Sequence, residues 1–362
     1  MWSGKSFYVG KWHRKGEKVK TILITGGAGF IGSNFVRYLY QKYPEYRLIV
    51  LDALTYAGNI ENLPVNINEG PNDRLIFWYG NVGNGELVDT LVSQSEVIIH
   101  FAAESHVTRS IYDNYLFFET DVLGTQTVAN SALKYKDTVE RFIHISTSEV
   151  YGSALNEKMD EEHPLLPMSP YASAKCGADR LVYSYWATYG MPVIIVRPFN
   201  NYGPYQHLEK VVPRFITSCL SDEPLTVHGD GSAARDWLFV QDHCEALDRI
   251  LHIDREKVIG EVINLGSGRH INLLEIANSV RDVMAPQNSP IQHVGERPGQ
   301  VFRHTCDASK AKNLLEWEPR VAFEEGLEQT IQWYRDNEAW WRPQVWMRHI
   351  PIITASGKRE LH

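Results

Sequence analysis

The chain of 362 residues has a formal net charge of −8, with 43% hydrophobic and 22% charged side chains. That is the composition of a globular protein with room for one large domain and a smaller appended region. No window approaches the ~20 consecutive apolar residues that a membrane span needs, and an acidic chain lacks the Lys and Arg excess that binds a phosphate backbone, so we expect neither membrane nor nucleic-acid partners.

The first twenty residues carry Lys5, Lys11, Arg14, Lys15, Lys18 and Lys20 with no apolar stretch after them, which is not the pattern of a secretory signal. We read residues 1–19 as a basic, solvated extension. Thr21 to Thr25 is a short apolar run that ends in glycines and is followed by Asn34 to Tyr40 at helical spacing, so strand, turn and helix are predicted in that order. Further apolar runs follow at Leu48–Leu51, Val97–Phe101, Phe142–Ile145 and Val193–Val196, far enough apart for helices between them. Strands alternating with helices predict an α/β fold, a Rossmann-type doubly wound parallel sheet over 20–200. Beyond Asn200, glycine-rich stretches such as Tyr202-Gly203-Pro204 separate shorter elements. A smaller substrate-binding lobe is expected over 201–350, with some segments free to return to the sheet, and a tail over 351–362. The aromatic end with Trp333, Trp340, Trp341 and Trp346 is expected to pack a terminal helix.

Cys176, Cys219, Cys244 and Cys306 lie far apart with no CxxC pair, which predicts neither zinc site nor disulfide framework and fits a reducing, cytoplasmic setting. Among the fourteen histidines no HExxH spacing occurs, so no metal site is expected. His100 and His144 end apolar runs and are expected to pack near the sheet.

Three features carry chemistry. Glycines at 26, 29 and 32 let the backbone turn tightly, approach a pyrophosphate and open a closely packed helix. Asp52 ends the next strand, where an acidic side chain accepts from the adenosine ribose and repels a 2′-phosphate, favouring NAD over NADP. Finally, Ser146-Thr147-Ser148-Glu149 follows a strand, and Tyr171 and Lys175, four apart, share a helix face. An ammonium and a cationic nicotinamide beside the Tyr171 phenol are expected to bring its pKa down toward neutrality and make it a base.

With these motifs the sequence resembles the nucleoside-diphosphate-hexose 4,6-dehydratases, most closely the dTDP-glucose 4,6-dehydratases. The resemblance runs over about residues 20 to 335 and includes Leu51-Asp52-Ala53-Leu54-Thr55-Tyr56-Ala57-Gly58-Asn59, Phe101-Ala102-Ala103-Glu104-Ser105-His106-Val107, Asn200-Asn201-Tyr202-Gly203-Pro204-Tyr205-Gln206, Arg235-Asp236-Trp237-Leu238 and Arg297-Pro298-Gly299. It implies that Tyr171 takes the sugar O4 proton as C4 is oxidised, that Thr147 bonds O4, and that Glu149 removes the C5 proton before water leaves C6. For the cofactor it implies Gly26, Gly29, Phe30, Ile31, Gly32, Asp52, Leu54, Thr55, Asn81, Val82, Phe101, Ala102, Ala103, Ser105, Asn200, Tyr171 and Lys175. For the substrate it implies His106, Asn201, Glu209, Lys210, Asn264 and His304, with Arg235 and Arg297 suited to the diphosphate by charge and bidentate geometry. A homodimer formed through two helices, one bearing Tyr171 and Lys175, is also implied.

The chain departs from that family at Ser148, where the closest branch has Asp, and at Phe199, Gln300, Val301 and His304. A serine hydroxyl in an ordinary environment does not donate a proton as a carboxylic acid does. Ser148 therefore leaves open a UDP-glucuronate-type decarboxylase or a nucleotide-sugar 4-epimerase, and a non-catalytic NAD-binding protein is the reading outside enzymes.

Overall fold

Seven strands form one parallel sheet: β1 (Thr21–Thr25), β2 (Arg47–Asp52), β3 (Leu75–Tyr79), β4 (Val97–His100), β5 (Arg141–Ile145), β6 (Val193–Pro198) and, late in the chain, β10 (Val262–Leu265), in the order β10-β6-β5-β4-β1-β2-β3. The structure, a computed structural model, describes residues 20–67, 72–285, 289–296 and 299–349, with the backbone of 351–353 and 359–361. The basic extension and Arg297 lie outside the described residues. TILIT, RFIHI and VIIVRP are buried along their whole length, as strands covered by helices on both faces must be, which is why they read as continuous apolar runs rather than alternating ones.

The helices run α1 (Phe30–Lys42), α2 (Gly85–Val92), the short α3 (Val107–Tyr112) and α4 (Tyr115–Phe117), a π-helical stretch Phe118–Gly124 that leads into α5 (Thr125–Lys134), and α6 (Pro170–Tyr189). Ser169 caps α6 by accepting from Ala172 N, Pro170 opens it, and Gly190 at φ 63° closes it, so both ends carry the residues that helix termini require. The order of strands reverses between β1 and β4, and a doubly wound sheet opens its binding crevice at the carboxyl ends of the strands flanking that switch.

The rest of the chain divides its allegiance. α8 (Val240–His252) packs on α1, and α10 (Ser309–Leu315) packs against β10, which lies parallel to β6 with Val262 opposite Ile195. The second lobe has its own apolar core around Phe215, Trp237, Ile276 and Ile331. It is built from β7 (Asn200–Tyr202), β9 (Ala234–Phe239) and β11 (His270–Asn272) in one sheet, the pair β8 (Leu225–His228) and β12 (Ile291–Val294), and helices α7 (Val211–Leu220), α9 (Leu273–Met284) and α11 (Phe323–Asp336). Trp333 and Trp340 pack against Tyr205, while Trp346 is exposed and does not share in that packing. All four cysteines are free thiols. No helix among the described residues is long and apolar enough to cross a membrane.

Candidate active site

A single cavity of about 430 Å³ runs from the glycine turn, across the carboxyl ends of β1, β4, β5 and β6, into the second lobe. At one end the backbone leaves no room for side chains. A Cβ on Gly32 would stand 2.3 Å from Gly26 O, and one on Gly26, at φ +69°, would stand 2.6 Å from Ala102 N. The N-terminus of α1, capped by Gly29, has no side-chain cap and no acidic residue in its first turn. Its N–H groups and dipole are thus left available to an anion, and these residues fit the pyrophosphate of a dinucleotide. Asp52 ties the turn to the end of β2, accepting from Ala28 N at 2.9 Å and Leu54 N at 2.8 Å. Gly32→Ala is therefore expected to abolish dinucleotide binding in an equilibrium titration and to cost about 1–3 kcal/mol of stability by overpacking, read as a lowered Tm.

The candidate reaction centre is assembled from two elements. The turn after β5 presents Thr147, Ser148 and Glu149, with Thr147 Oγ1 accepting from Glu149 N at 3.2 Å. Helix α6 presents Tyr171 and Lys175, and it is locked to β6 by Asp179, whose two oxygens accept from Arg197 Nε and Nη2 at 2.9 and 3.0 Å. Lys175 is buried and donates from Nζ to Ile145 O at 2.8 Å. The expected depression of the Tyr171 pKa is not a property of the protein groups alone. Burial first, then the carboxylates of Asp121 and Glu149, push the phenol up, and only a hydrogen bond with Thr147 opposes them. Burial also lowers Lys175, partly opposed by Asp121 and Asp179. The counter-charge that would favour the phenolate must therefore come from a cation within the cavity.

In the second lobe, burial alone would raise Glu209, but His106, Lys210, His207 and Arg109 around it hold its carboxyl down to about 2. Arg109 Nε lies 3.0 Å from Glu209 Oε2, and its guanidinium lies over the Tyr56 ring, while Lys210 Nζ donates to Ser105 O at 2.6 Å. Arg235 is buried. It donates from Nη1 to Ala234 O and Val301 O, and its Nε stands 3.7 Å from Glu149 Oε1.

The cavity brings together Gly26, Gly29, Phe30, Ile31, Gly32, Asp52, Thr55, Asn81, Val82, Phe101, Ala102, Ala103, Ser105, His106, Thr147, Ser148, Glu149, Tyr171, Lys175, Asn200, Asn201, Glu209, Lys210 and Arg235. Three expected residues do not line it. Leu54 contributes its backbone N–H to Asp52 instead. Asn264 lies on β10, its amide bonded to Tyr151 and to Met159 O, so it braces the loop over the sheet. His304 stands behind Ser148, with Oγ to Nδ1 at 3.3 Å. Asn201 does line the cavity, but its amide is committed to His243 and Phe199 O. His100 and His144 pack beneath the site, buried and 5.5 Å apart between ring centres. No group of side chains among the described residues could hold a metal.

Sequence reasoning missed Arg214, His228 and His207 in the lining and Asp121 beneath it. Asp121 is buried on the π-helical stretch, where burial, countered in part by Lys175, raises it to about 7. None lies in a recognisable motif, and Asp121 shares the stretch Phe118–Gly124 with Glu119 and Thr120, so no local signal set it apart.

The sequence profile of the GDP-mannose 4,6 dehydratase family matches residues 23–330. The chain is 46% identical to the low-salt glycan biosynthesis protein Agl12 of Haloferax volcanii, over 88% of this chain and 99% of the relative. It is 43% identical to a dTDP-glucose 4,6-dehydratase of Streptomyces niveus, over 89% and 95%. Among solved structures, DesIV of Streptomyces venezuelae, a dTDP-glucose 4,6-dehydratase crystallised with NAD, superposes with a TM-score of 0.83 at 41% identity, covering 89% of this chain and 99% of that one.

Proposed function

The chain belongs to the GDP-mannose 4,6-dehydratase family, and from that premise we propose that it converts a dTDP-, UDP- or GDP-linked hexose into the 4-keto-6-deoxy sugar, with NAD as resident cofactor. The observation that carries this reading is the convergence of Thr147, Glu149, Tyr171 and Lys175 on one cavity that continues into the glycine turn. A protein that only bound NAD would have no use for that convergence.

The glycine turn and Asp52 would hold NAD, which would supply the hydride acceptor for C4 and the hydride donor for C6. Tyr171 takes the O4 proton while Thr147, bonded to the phenol, also bonds O4. The C4 ketone acidifies C5, and Glu149, whose Oε1 lies 3.7 Å from Arg235 Nε, takes the C5 proton. Lys175, fixed by its bond to Ile145 O, shares the face of α6 that carries Tyr171. Asp52 meets the adenosine ribose, Glu209 and Lys210 meet the hexose, and Arg235 reaches the diphosphate.

The purified protein should be incubated with dTDP-, UDP- and GDP-linked glucose, mannose, N-acetylglucosamine and glucuronate, and the product mass read. Loss of one water from a hexose donor is expected. Loss of carbon dioxide from the glucuronate, or an unchanged mass with an inverted C4, would replace dehydration with decarboxylation or epimerisation.

The protein works as a homodimer paired through α5 and α6. These helices and the stretch leading into them pack together and leave Tyr115, Leu116, Phe118, Leu123, Tyr183 and Tyr189 exposed, an apolar face of the kind that marks an interface. Leu123→Asp is expected to halve the mass measured by sedimentation equilibrium; a monomeric parent protein would refute the pairing.

A further inference from the structure

Ser148 and His304, two positions singled out in the sequence, touch each other, and the hydrogen bonds around them fix which one holds the proton. His304 Nε2 lies 2.7 Å from Gly152 O. A carbonyl oxygen only accepts, so Nε2 carries the hydrogen. The ring is fully buried, edge-on to Phe199 at 6.0 Å, and burial lowers its pKa to about 4 against the opposing pull of Glu149. The charged and titratable groups facing it are Glu149, Arg235 and His163. A neutral ring with hydrogen on Nε2 leaves Nδ1 as a bare lone pair. Nδ1 stands 3.3 Å from Ser148 Oγ, so the serine hydroxyl donates to the histidine. A serine has one hydrogen. Ser148 lines the cavity and His304 does not, so what Ser148 offers a bound sugar is its oxygen lone pairs.

We propose that His304 is a positioning residue that fixes Ser148 as an acceptor for the hydrogen of the sugar's C6 hydroxyl, leaving Glu149 both to take the C5 proton and to hand it to O6. This rests on the dehydratase reading above. Glu149 removes hydrogen from C5, and the C5–H electron pair moves into the C4 carbonyl as an enolate. The Glu149 O–H then protonates O6 as the C6–O6 bond breaks. The enolate pair re-forms the C4 ketone with a C5=C6 double bond, water departs, and Glu149 is again a carboxylate. Ser148 neither gains nor loses a proton. Its place beside Glu149 on one turn keeps O6 within reach of the acid that forms there.

The test has one readout without substrate and one with dTDP-glucose. Nitrogen-15 spectra of the NAD-loaded protein should show His304 as the neutral Nε2–H tautomer from pH 5.5 to 8, with the Nδ1 resonance displaced in Ser148→Ala. With dTDP-glucose, Ser148→Ala should lower kcat by about tenfold at unchanged KM. That is far less than the ~10²–10⁴-fold expected for loss of a general acid. His304→Gln, which can still donate toward Gly152 O but withdraws the acceptor, should cost about the same, and the double variant no more than either alone. His304→Asn, whose Oδ1 can take the Ser148 hydrogen, should recover most of that loss. An Nδ1–H or cationic His304, a thousandfold fall in Ser148→Ala, or additive losses would overturn the proposal. A parent protein that leaves dTDP-glucose unchanged would instead refute that substrate, and the tautomer spectra would still decide the hydrogen bond.

Discussion

Replacing Tyr171 with Phe is expected to lower turnover of the nucleotide sugar by at least ~10²–10⁴-fold, the span of a lost general base, with NAD affinity and Tm nearly unchanged. The substitution removes one oxygen. The ring keeps its edge contact with Phe117 at 6.1 Å, and the glycine turn and Asp52, which hold the other end of the dinucleotide, are not disturbed. Because burial and the Asp121 and Glu149 carboxylates push the phenol up, the parent enzyme should also gain activity as pH rises through the phenol's titration. That rise should be absent from the residual rate of Tyr171→Phe. Steady-state kinetics from pH 6 to 10 and a titration with NAD check both halves, and a variant that turned over at the parent rate would remove Tyr171 from the chemistry.

The parts of this site that were legible in the sequence are those whose geometry is local. Gly26, Gly29 and Gly32 sit within one turn, Thr147 to Glu149 within another, and Tyr171 and Lys175 within one turn of α6, so spacing alone places each set. The parallel sheet was legible because strands such as VIIH and RFIHI, buried along their whole length, carry Val, Ile and Phe on both faces. What spacing could not supply was the tertiary neighbour. Asn264 is one strand away from the cavity because β10 returns to the outer edge of the sheet, where Asn264 pairs in register with Arg197, far from it in sequence. His304 meets Ser148 across 156 residues, and nothing in either segment announces the other. The direction of the Tyr171 shift also depended on tertiary surroundings: burial first, and then Asp121, brought beneath the site by the π-helical stretch, raise the phenol where a Tyr-x-x-x-Lys pattern by itself implies the opposite.

Glu149→Gln is expected to separate the two halves of the reaction. Glutamine keeps the length and an acceptor oxygen for Arg235, whose Nε lies 3.7 Å from Glu149 Oε1, and Arg235 retains its bonds to Ala234 O and Val301 O. The fold should therefore lose no more than about 1–2 kcal/mol. An amide cannot take a proton from C5, so water elimination should fall by ~10²–10⁴-fold or more. Tyr171, Thr147 and Lys175 are untouched, and removal of the O4 proton does not pass through Glu149. The sugar should accordingly accumulate in a single turnover as the 4-keto hexose, two hydrogens short of the substrate and still carrying its C6 hydroxyl. Quenched-flow mass spectrometry with enzyme in excess reads that species directly. If the variant instead released the dehydrated sugar at the parent rate, the C5 base would have to lie elsewhere. If it failed to oxidise C4 at all, Glu149 would be needed for the first step, as a charge that sets the Tyr171 phenol rather than as the base at C5.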